Sequence, residues 1–352
     1  MTVTRDTTRY DADMLKDAER WTEIDGDLAG VQDDIAAAIL RSRCETVLCD
    51  YPRAPYWHDP ESVDAICDVA YLPDGGYEAG QVRGHLLDIY LPHDAVVRNG
   101  KTTPVYVDIH GGGFCYGYKE LNRNFCTHLA ARGFVVVSLN YRPAPQTNLR
   151  GQLADVQAAL RWLKDHLNDY PAAPDAVFVT GDSAGGALAL LTLAIENNPK
   201  AAAAFGIEQA SGIGLKGGAL VCGVYSLASP SKAADRGIGY ETGKRAMLED
   251  INGPEFFAGL DDADPDFLTA GDIVANVDLP PLFLLTSSDD FLQDETLALA
   301  TALARKGADF ELQDWKTGKG ETLGHVFPVC MTWLAESQHV LDSIHDFTYA
   351  RL

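Results

Sequence analysis

The sequence predicts an α/β protein, with a mostly parallel central sheet covered by helices on both faces. Two observations predict it. The runs "PVYVDI", "FVVVSL", "AVFVT", "GALVCGV" and "PLFLLT" are short and continuously apolar, as strands buried on both faces are. Helix-patterned stretches alternate with these runs, and such alternation is the signature of a parallel sheet with crossover helices.

Taken in order, the first sixty or so residues read as helical and acidic. Leu28, Val31, Ile35 and Ile39 recur at helical spacing in "DLAGVQDDIAAAILRSRC", so one stripe can pack while the aspartates face water. From about Ile66 the texture changes to "ICDVAYL" and "HLLDIYL", separated by "PDGGYEAGQ", which reads as two antiparallel strands around a turn region. The parallel-sheet pattern follows. Its clearest helix is Leu153–Leu167, where Leu153, Val156, Leu160, Leu163 and Leu167 form one apolar face. Between about Ser226 and Asn276 the alternation lapses for too long to be a plain loop, and a helical insertion is expected there. The chain therefore divides into an N-terminal helical segment, residues 1–60, and an α/β unit, residues 61–352, with an insertion at about 226–276.

Composition narrows the function. With 28 basic against 51 acidic residues, the 352-residue chain carries a formal charge of -23, which repels phosphate backbones and anionic lipid surfaces. Nucleic acid and membrane are excluded as expected partners. Cys44, Cys49, Cys67, Cys115, Cys126, Cys222 and Cys330 form an odd, scattered set without C-x-x-C spacing, as in proteins whose thiols stay reduced. The polar N-terminus lacks the apolar core of a secretory signal, and no run approaches the ~18 apolar residues of a membrane span. A cytoplasmic protein is expected.

Four segments carry chemistry. "GDSAG", Gly181 to Gly185, fits G-x-S-x-G at a strand-to-helix junction, where the turn lifts Ser183 above the sheet and only glycine fits the flanks. A serine hydroxyl needs a histidine to take its proton, and that histidine needs an acid to fix its tautomer. His325, in "GETLGHVFPVC", lies late in the chain where a base would follow serine and acid; the other histidines lie in polar or strand-edge contexts. Asp289, Asp290 and Asp294 follow the strand-like "PLFLLT", where ligand-facing loops of parallel sheets lie, and any of them is a candidate acid. Acids there also suit a helix N-terminus. Finally, "DIHGGGF" places three glycines at a strand end, leaving N–H groups unobstructed for an oxyanion, with the N–H of Ala184 as a further donor.

Other motifs are set aside. "GIGLKG" at Gly212 matches G-x-G-x-x-G but precedes a strand, and "GYETGKR" has Arg245 where a phosphate loop needs Ser or Thr. Histidines and cysteines lack the paired short spacings of zinc sites, so no metal is expected.

From about Val105 onward the chain resembles the hormone-sensitive-lipase-like esterases of the α/β-hydrolase superfamily, through "HGGGF", "LNYRPAP", "DVQAALRWL", "GDSAGG", "SSDDFLQDE" and "GHVF". The resemblance implies an α/β-hydrolase fold with a helical cap built from N-terminal residues and a later insertion. It implies Ser183 as nucleophile, His325 as base and Asp290, rather than Asp289, as acid. Gly112 and Gly113 would join Ala184 in an oxyanion hole, and His110 would organise its loop. Two departures, "YRPAPQ" with Pro143 and Gln146 and the following "LRGQ", bear on the pocket wall.

The expected activity is that of a serine carboxylesterase hydrolysing short-chain or small aromatic carboxylic esters through an acyl-serine, without cofactor. Phe114, Tyr116 and Tyr118, beside the glycine loop, would suit an aromatic group. A feruloyl or acetyl-sugar esterase, or an amidase, would use the same mechanism. A non-catalytic receptor on this fold is the other reading; the plant gibberellin receptors resemble this family but lack the histidine, and here His325 is present. The expected partner is a small-molecule ester, with homo-oligomerisation left open.

Overall fold

The computed structural model describes residues 24–73, 84–93, 103–229, 242–260, 265–316 and 322–352. Residues 1–23 of the expected N-terminal segment, and 230–241 and 261–264 of the expected insertion, lie outside the described residues.

Among the described residues eight strands form one sheet: β1 (Val63–Ala70), β2 (Leu86–Pro92), β3 (Thr103–Ile109), β4 (Val135–Leu139), β5 (Ala172–Asp182), β6 (Gly218–Val221), β7 (Leu282–Ser287) and β8 (Phe310–Trp315), in the order β1-β2-β4-β3-β5-β6-β7-β8. The β1–β2 and β2–β4 pairs are antiparallel and the rest parallel. The helices are α1 (Asp33–Asp50), α2 (Arg123–Ala130), α3 (Leu149–His166), α4 (Ala184–Asn197), α5 (Pro199–Ala204), α6 (Thr242–Asn252), α7 (Ala270–Asn276), α8 (Gln293–Lys306), α9 (Phe327–Cys330) and α10 (Ala335–Tyr349).

Burial follows the expected pattern. Every residue of β4 and β7 is buried, whereas the edge strands β1 and β8 are largely open. The two-residue period of a strand divides the core: Val105, Val107 and Ile109 of β3 face a layer containing α3 and α4, while Tyr106 faces the layer of α2 and α10.

The helical boundaries move for local reasons. α3 begins four residues before the apolar face predicts, because the Asn148 side chain accepts the Gly151 N–H at 3.0 Å and caps the helix. The "LRGQ" stretch is its first turn. In the N-terminal segment the helix starts only at Asp33, so Leu28 and Val31 belong to the preceding turns; Leu28 is nonetheless buried against the main core.

After β3 the chain runs through α2 to β4 on one side, then through α3 back across to β5 on the other. The strand order reverses at β3 and β5, and ligand crevices of open α/β sheets lie beyond the carboxyl ends at such a reversal. The segments leaving those two ends are His110–Gly113 and Ser183–Gly185.

Candidate active site

Ser183 sits between Asp182 at the end of β5 and Ala184 at the start of α4, with φ 53° and ψ -118°. That conformation is strained for any residue with a Cβ. Its surroundings require the flanking glycines: a Cβ on Gly185 would lie 1.9 Å from the Ile109 carbonyl oxygen. Although Ser183 occupies the N-cap position, its side chain makes no capping bond, so the hydroxyl is not spent on its own helix.

The glycine loop reaches the same place. Gly112 has φ 112°, and a Cβ there would meet the Tyr116 carbonyl oxygen at 2.3 Å. His110 stacks on Tyr141 with ring centroids 4.2 Å apart and its Nδ1 lies 2.8 Å from the Gly111 carbonyl oxygen, while the Tyr141 hydroxyl donates to the His110 carbonyl. These bonds organise the loop, as the resemblance implies for His110.

Beyond β7, the three candidate acids separate. Asp290 Oδ1 lies 2.7 Å from His325 Nδ1. The same oxygen accepts the Leu292 N–H at 3.0 Å, and Oδ2 accepts the Thr286 hydroxyl at 3.0 Å. Burial pushes the Asp290 carboxyl up, but the His325 bond and charge, the Leu292 N–H and the Cys222 thiol outweigh it and the net shift is downward. Asp289 is exposed, and Asp294 pairs with Lys244 at 3.4 Å; neither is bonded to His325.

Five non-glycine residues among those described have positive φ, and four of them flank this site: Phe114, Ser183, Cys222 and Val326. Val326, β-branched and at φ 53°, turns the chain between His325 and α9. Backbone strain concentrated in this way is characteristic of functional sites, at a cost of about 1–3 kcal/mol per residue.

Ser183, Ala184, Gly112, Gly113 and His325 line one cavity of about 410 Å³. Asp290 lies behind His325, buried and outside the lining. One wall comes from α1 and the segment after it, with Ser42, Glu45, Asp50 and Trp57 among its residues. Further contributions are apolar: Met247, Leu248 and Ile251 of α6, with Phe291 and Leu292 after the acid. The expected aromatic lining is corrected. Phe114, Tyr116 and Tyr118 are buried and do not line the cavity; Phe114 packs on Phe256 and Phe257, and Tyr116 donates to Asp50 at 3.3 Å.

Several residues of the site escaped the sequence reading. Asp182 accepts the Gly111 N–H at 3.0 Å and the Asn122 side-chain amide at 2.8 Å, tying the glycine loop to the serine turn. Asn122 also reaches both oxygens of Asp108 at 3.2 Å. Burial, reinforced by the neighbouring Asp182 carboxylate, pushes Asp108 up to about 7. Asp50 is pushed up to about 7 by burial too, against the pull of Arg53 and the Tyr116 hydroxyl. The residue types gave no signal for this network, because its members come from separate elements. His85 is also engaged: its Nε2 lies 3.0 Å from Asp155 Oδ1, the oxygen to which Arg142 Nη2 donates at 2.8 Å.

Cys222, Asp290 and His325 bring atoms of metal-ligand type within 4.8 Å of one another, a grouping invisible in their spacing. Burial and the adjacent Asp290 push the Cys222 thiol well above its usual range.

Comparison with known proteins agrees with this architecture. The family model for the alpha/beta hydrolase fold matches residues 106–327, well over half of the chain, and the chain belongs to that family. The motifs at His110, Gly181 and Gly324 fall inside the matched span, and the fold is shared with an esterase from the bacterial hormone-sensitive lipase family, at TM-score 0.60 and 20% identity over 97% of this chain and 99% of that one. Esterase B from Lactobacillus rhamnosis is 30% identical at TM-score 0.72, over 89% of this chain and 94% of that one. A probable carboxylic ester hydrolase, LipM of Mycobacterium tuberculosis, is 35% identical over 132 residues, 37% of this chain and 30% of the relative. The chain thus spans under two thirds of the length of the curated relatives it matches first.

Proposed function

We propose that the protein is a serine carboxylesterase acting on short-chain or small aromatic carboxylic esters. The observation that carries this reading is the 2.7 Å Asp290–His325 contact facing a cavity that also holds Ser183 on its strained turn and the glycine loop. The names of the relatives, esterases and ester hydrolases, support the same class of reaction.

In the first half-reaction His325 Nε2 takes the proton of Ser183 as Oγ attacks the ester carbonyl. The N–H groups of Gly112, Gly113 and Ala184 receive the oxyanion, at the N-terminus of α4 where the helix dipole favours negative charge. Asp290 fixes the tautomer of His325 through Nδ1 and stabilises the imidazolium. His325 then returns the proton to the leaving alkoxide oxygen as the C–O bond breaks, leaving an acyl-serine. Water, activated by the same histidine, hydrolyses that ester and restores Ser183. No step needs a cofactor.

The N-terminal segment, residues 1–60, and the insertion at about 226–276 serve as a cap over the catalytic unit; the lining residues of α1 and α6 support this assignment. The cavity lies toward the small end of ligand pockets, which range over about 300–1,000 Å³, and so favours small soluble esters. The substrate is the small-molecule partner, and the acidic surface disfavours nucleic acid. No helix among the described residues is long and apolar enough to cross a membrane, and the scattered thiols fit a cytoplasmic setting.

Ser183→Ala tests the reading. Turnover of p-nitrophenyl butyrate should fall by about 10⁶-fold with the circular dichroism spectrum unchanged, and labelling by a phosphonate ester should vanish. A variant retaining a tenth of the activity would refute it.

A further inference from the structure

Phe291 is unusual among the large apolar residues of this chain. It directly follows Asp290, is 54% exposed, and nevertheless lines the cavity. Its ring centroid is 4.5 Å from that of His325. Lys244 of α6 holds it in place: Nζ donates to the Phe291 carbonyl oxygen, pairs with Asp294 at 3.4 Å, and lies 5.6 Å from the ring centroid. An aromatic ring is thus kept at the cavity mouth, half in water, by contacts that bury little of it. Core packing does not account for that position, since Phe291 belongs to none of the buried clusters.

We propose that Phe291 is the specificity-determining residue of the leaving-alcohol side of the site, favouring esters of benzylic or comparably bulky apolar alcohols. The inference rests on the esterase reading. In that mechanism only one part of the substrate must meet His325 Nε2, the oxygen of the departing alcohol, because His325 hands its proton there. The alcohol substituent therefore lies beside the imidazole. The ring packed against that imidazole and open to the cavity is Phe291. An aromatic or apolar alcohol covers the exposed ring and gains both apolar burial and an aromatic contact, whereas methyl or ethyl alcohols are too small to do so. The acyl group, directed away from His325 once the carbonyl oxygen occupies the glycine loop, is indifferent to the ring.

The test measures two substrate series on the wild type, Phe291→Ala and Phe291→Leu. In the first, the acid is butyrate and the alcohol is ethanol or benzyl alcohol. In the second, the alcohol is p-nitrophenol and the acyl group runs from acetate to octanoate. Phe291→Ala should lower the benzyl-to-ethyl ratio of kcat/KM about tenfold, the scale of one buried aromatic contact, and Phe291→Leu should restore part of it. The shape of the acyl-length profile should not change. Nor should the rate of deacylation of the butyryl-enzyme, from which the alcohol has already departed. Equal losses on both alcohols, accompanied by a shifted pH profile, would show that the ring only shelters the Asp290–His325 pair and would overturn the proposal; so would a changed acyl-length profile. Ser183→Ala, run in the same assays, keeps the two readings apart. Residual turnover there defeats the esterase reading, whereas a dead Ser183→Ala beside an unaltered alcohol ratio defeats only the role of Phe291.

Discussion

Asp290 and Asp289 are adjacent acids with different environments, and the difference lies in their partners. Asp290 is buried and accepts from Leu292 N–H, from the Thr286 hydroxyl and from His325, a set that holds the carboxylate in one orientation. Asp289 is exposed, and its backbone N–H bonds to the Ser287 hydroxyl. Asp290→Asn presents an amide to His325 Nδ1 and favours the wrong tautomer, so kcat should fall by about 10⁴-fold. Asp289→Asn should stay within about threefold of the wild type. Steady-state kinetics on one ester decide the matter, and a larger loss at Asp289 would shift the acid by one residue. The residues of "SSDD" alone left this choice open. The motifs at His110 and Gly181 were legible because close backbone approach restricts their glycines, as the clash of a Cβ at Gly185 illustrates, whereas a Cβ at Gly324 would find room. Phe291 was not legible as a pocket residue, because an apolar side chain between two acids and a leucine looks like part of the α8 start.

At the scale of elements, the sheet was readable because buried strands are written as unbroken apolar runs. β3 to β7 all occur where those runs stand, and β1 and β2 pair antiparallel as their texture implies. The N-terminal helix was harder. Its apolar stripe suggests simple packing, but what fixes it is Arg43, a fully buried side chain. Arg43 donates to the carbonyl oxygens of Cys115 at 2.7 Å, Ile24 at 2.8 Å and Ala144 at 2.9 Å, and pairs with both oxygens of Asp27. Gln146, one of the departures from the family pattern, also donates to Asp27, at 2.9 Å. One guanidinium thus joins the N-terminal turn, the glycine-loop segment and the "YRPAPQ" loop. A hydrophobicity pattern cannot show such a link. Arg43→Met keeps most of the aliphatic stem but removes the charge partner of Asp27 and the donor of three carbonyl groups, which should cost about 3–5 kcal/mol. Chemical denaturation measures it. A loss below about 1 kcal/mol would mean that α1 is held by its apolar contacts, Ile39 and Val47 among them, rather than by the guanidinium.

For the whole molecule, the buried carboxyl groups predict how stability responds to pH. Asp50 and Asp108 have folded-state values near 7 against an ordinary value of 3.8, each raised chiefly by burial. Between those values the native state holds more protons than the unfolded chain, so stability declines as pH rises from about 4 toward 7, and the loss is complete above the folded value. Asp155 and Asp290 act oppositely. Their burial is outweighed by His85 and Arg142 in one case and by His325 in the other, so both are depressed, and the stability they contribute disappears as pH falls through their folded values. Together the two sets place the maximum at about pH 4, where the raised pair is still protonated and the depressed pair still ionised. The formal charge of -23 adds self-repulsion that also grows with pH. A single substitution separates the two causes, because removing one charge barely changes the total. Asp50→Asn keeps an oxygen for the Tyr116 hydroxyl and removes the buried ionisation. The variant should match or fall slightly below the wild type at pH 5 and become the more stable of the two at pH 8. The relative gain should be on the order of a few kcal/mol, at about 1.4 per pKa unit. Thermal unfolding of both proteins at the two pH values measures it, and a difference that does not change with pH would show that Asp50 folds with its charge already compensated.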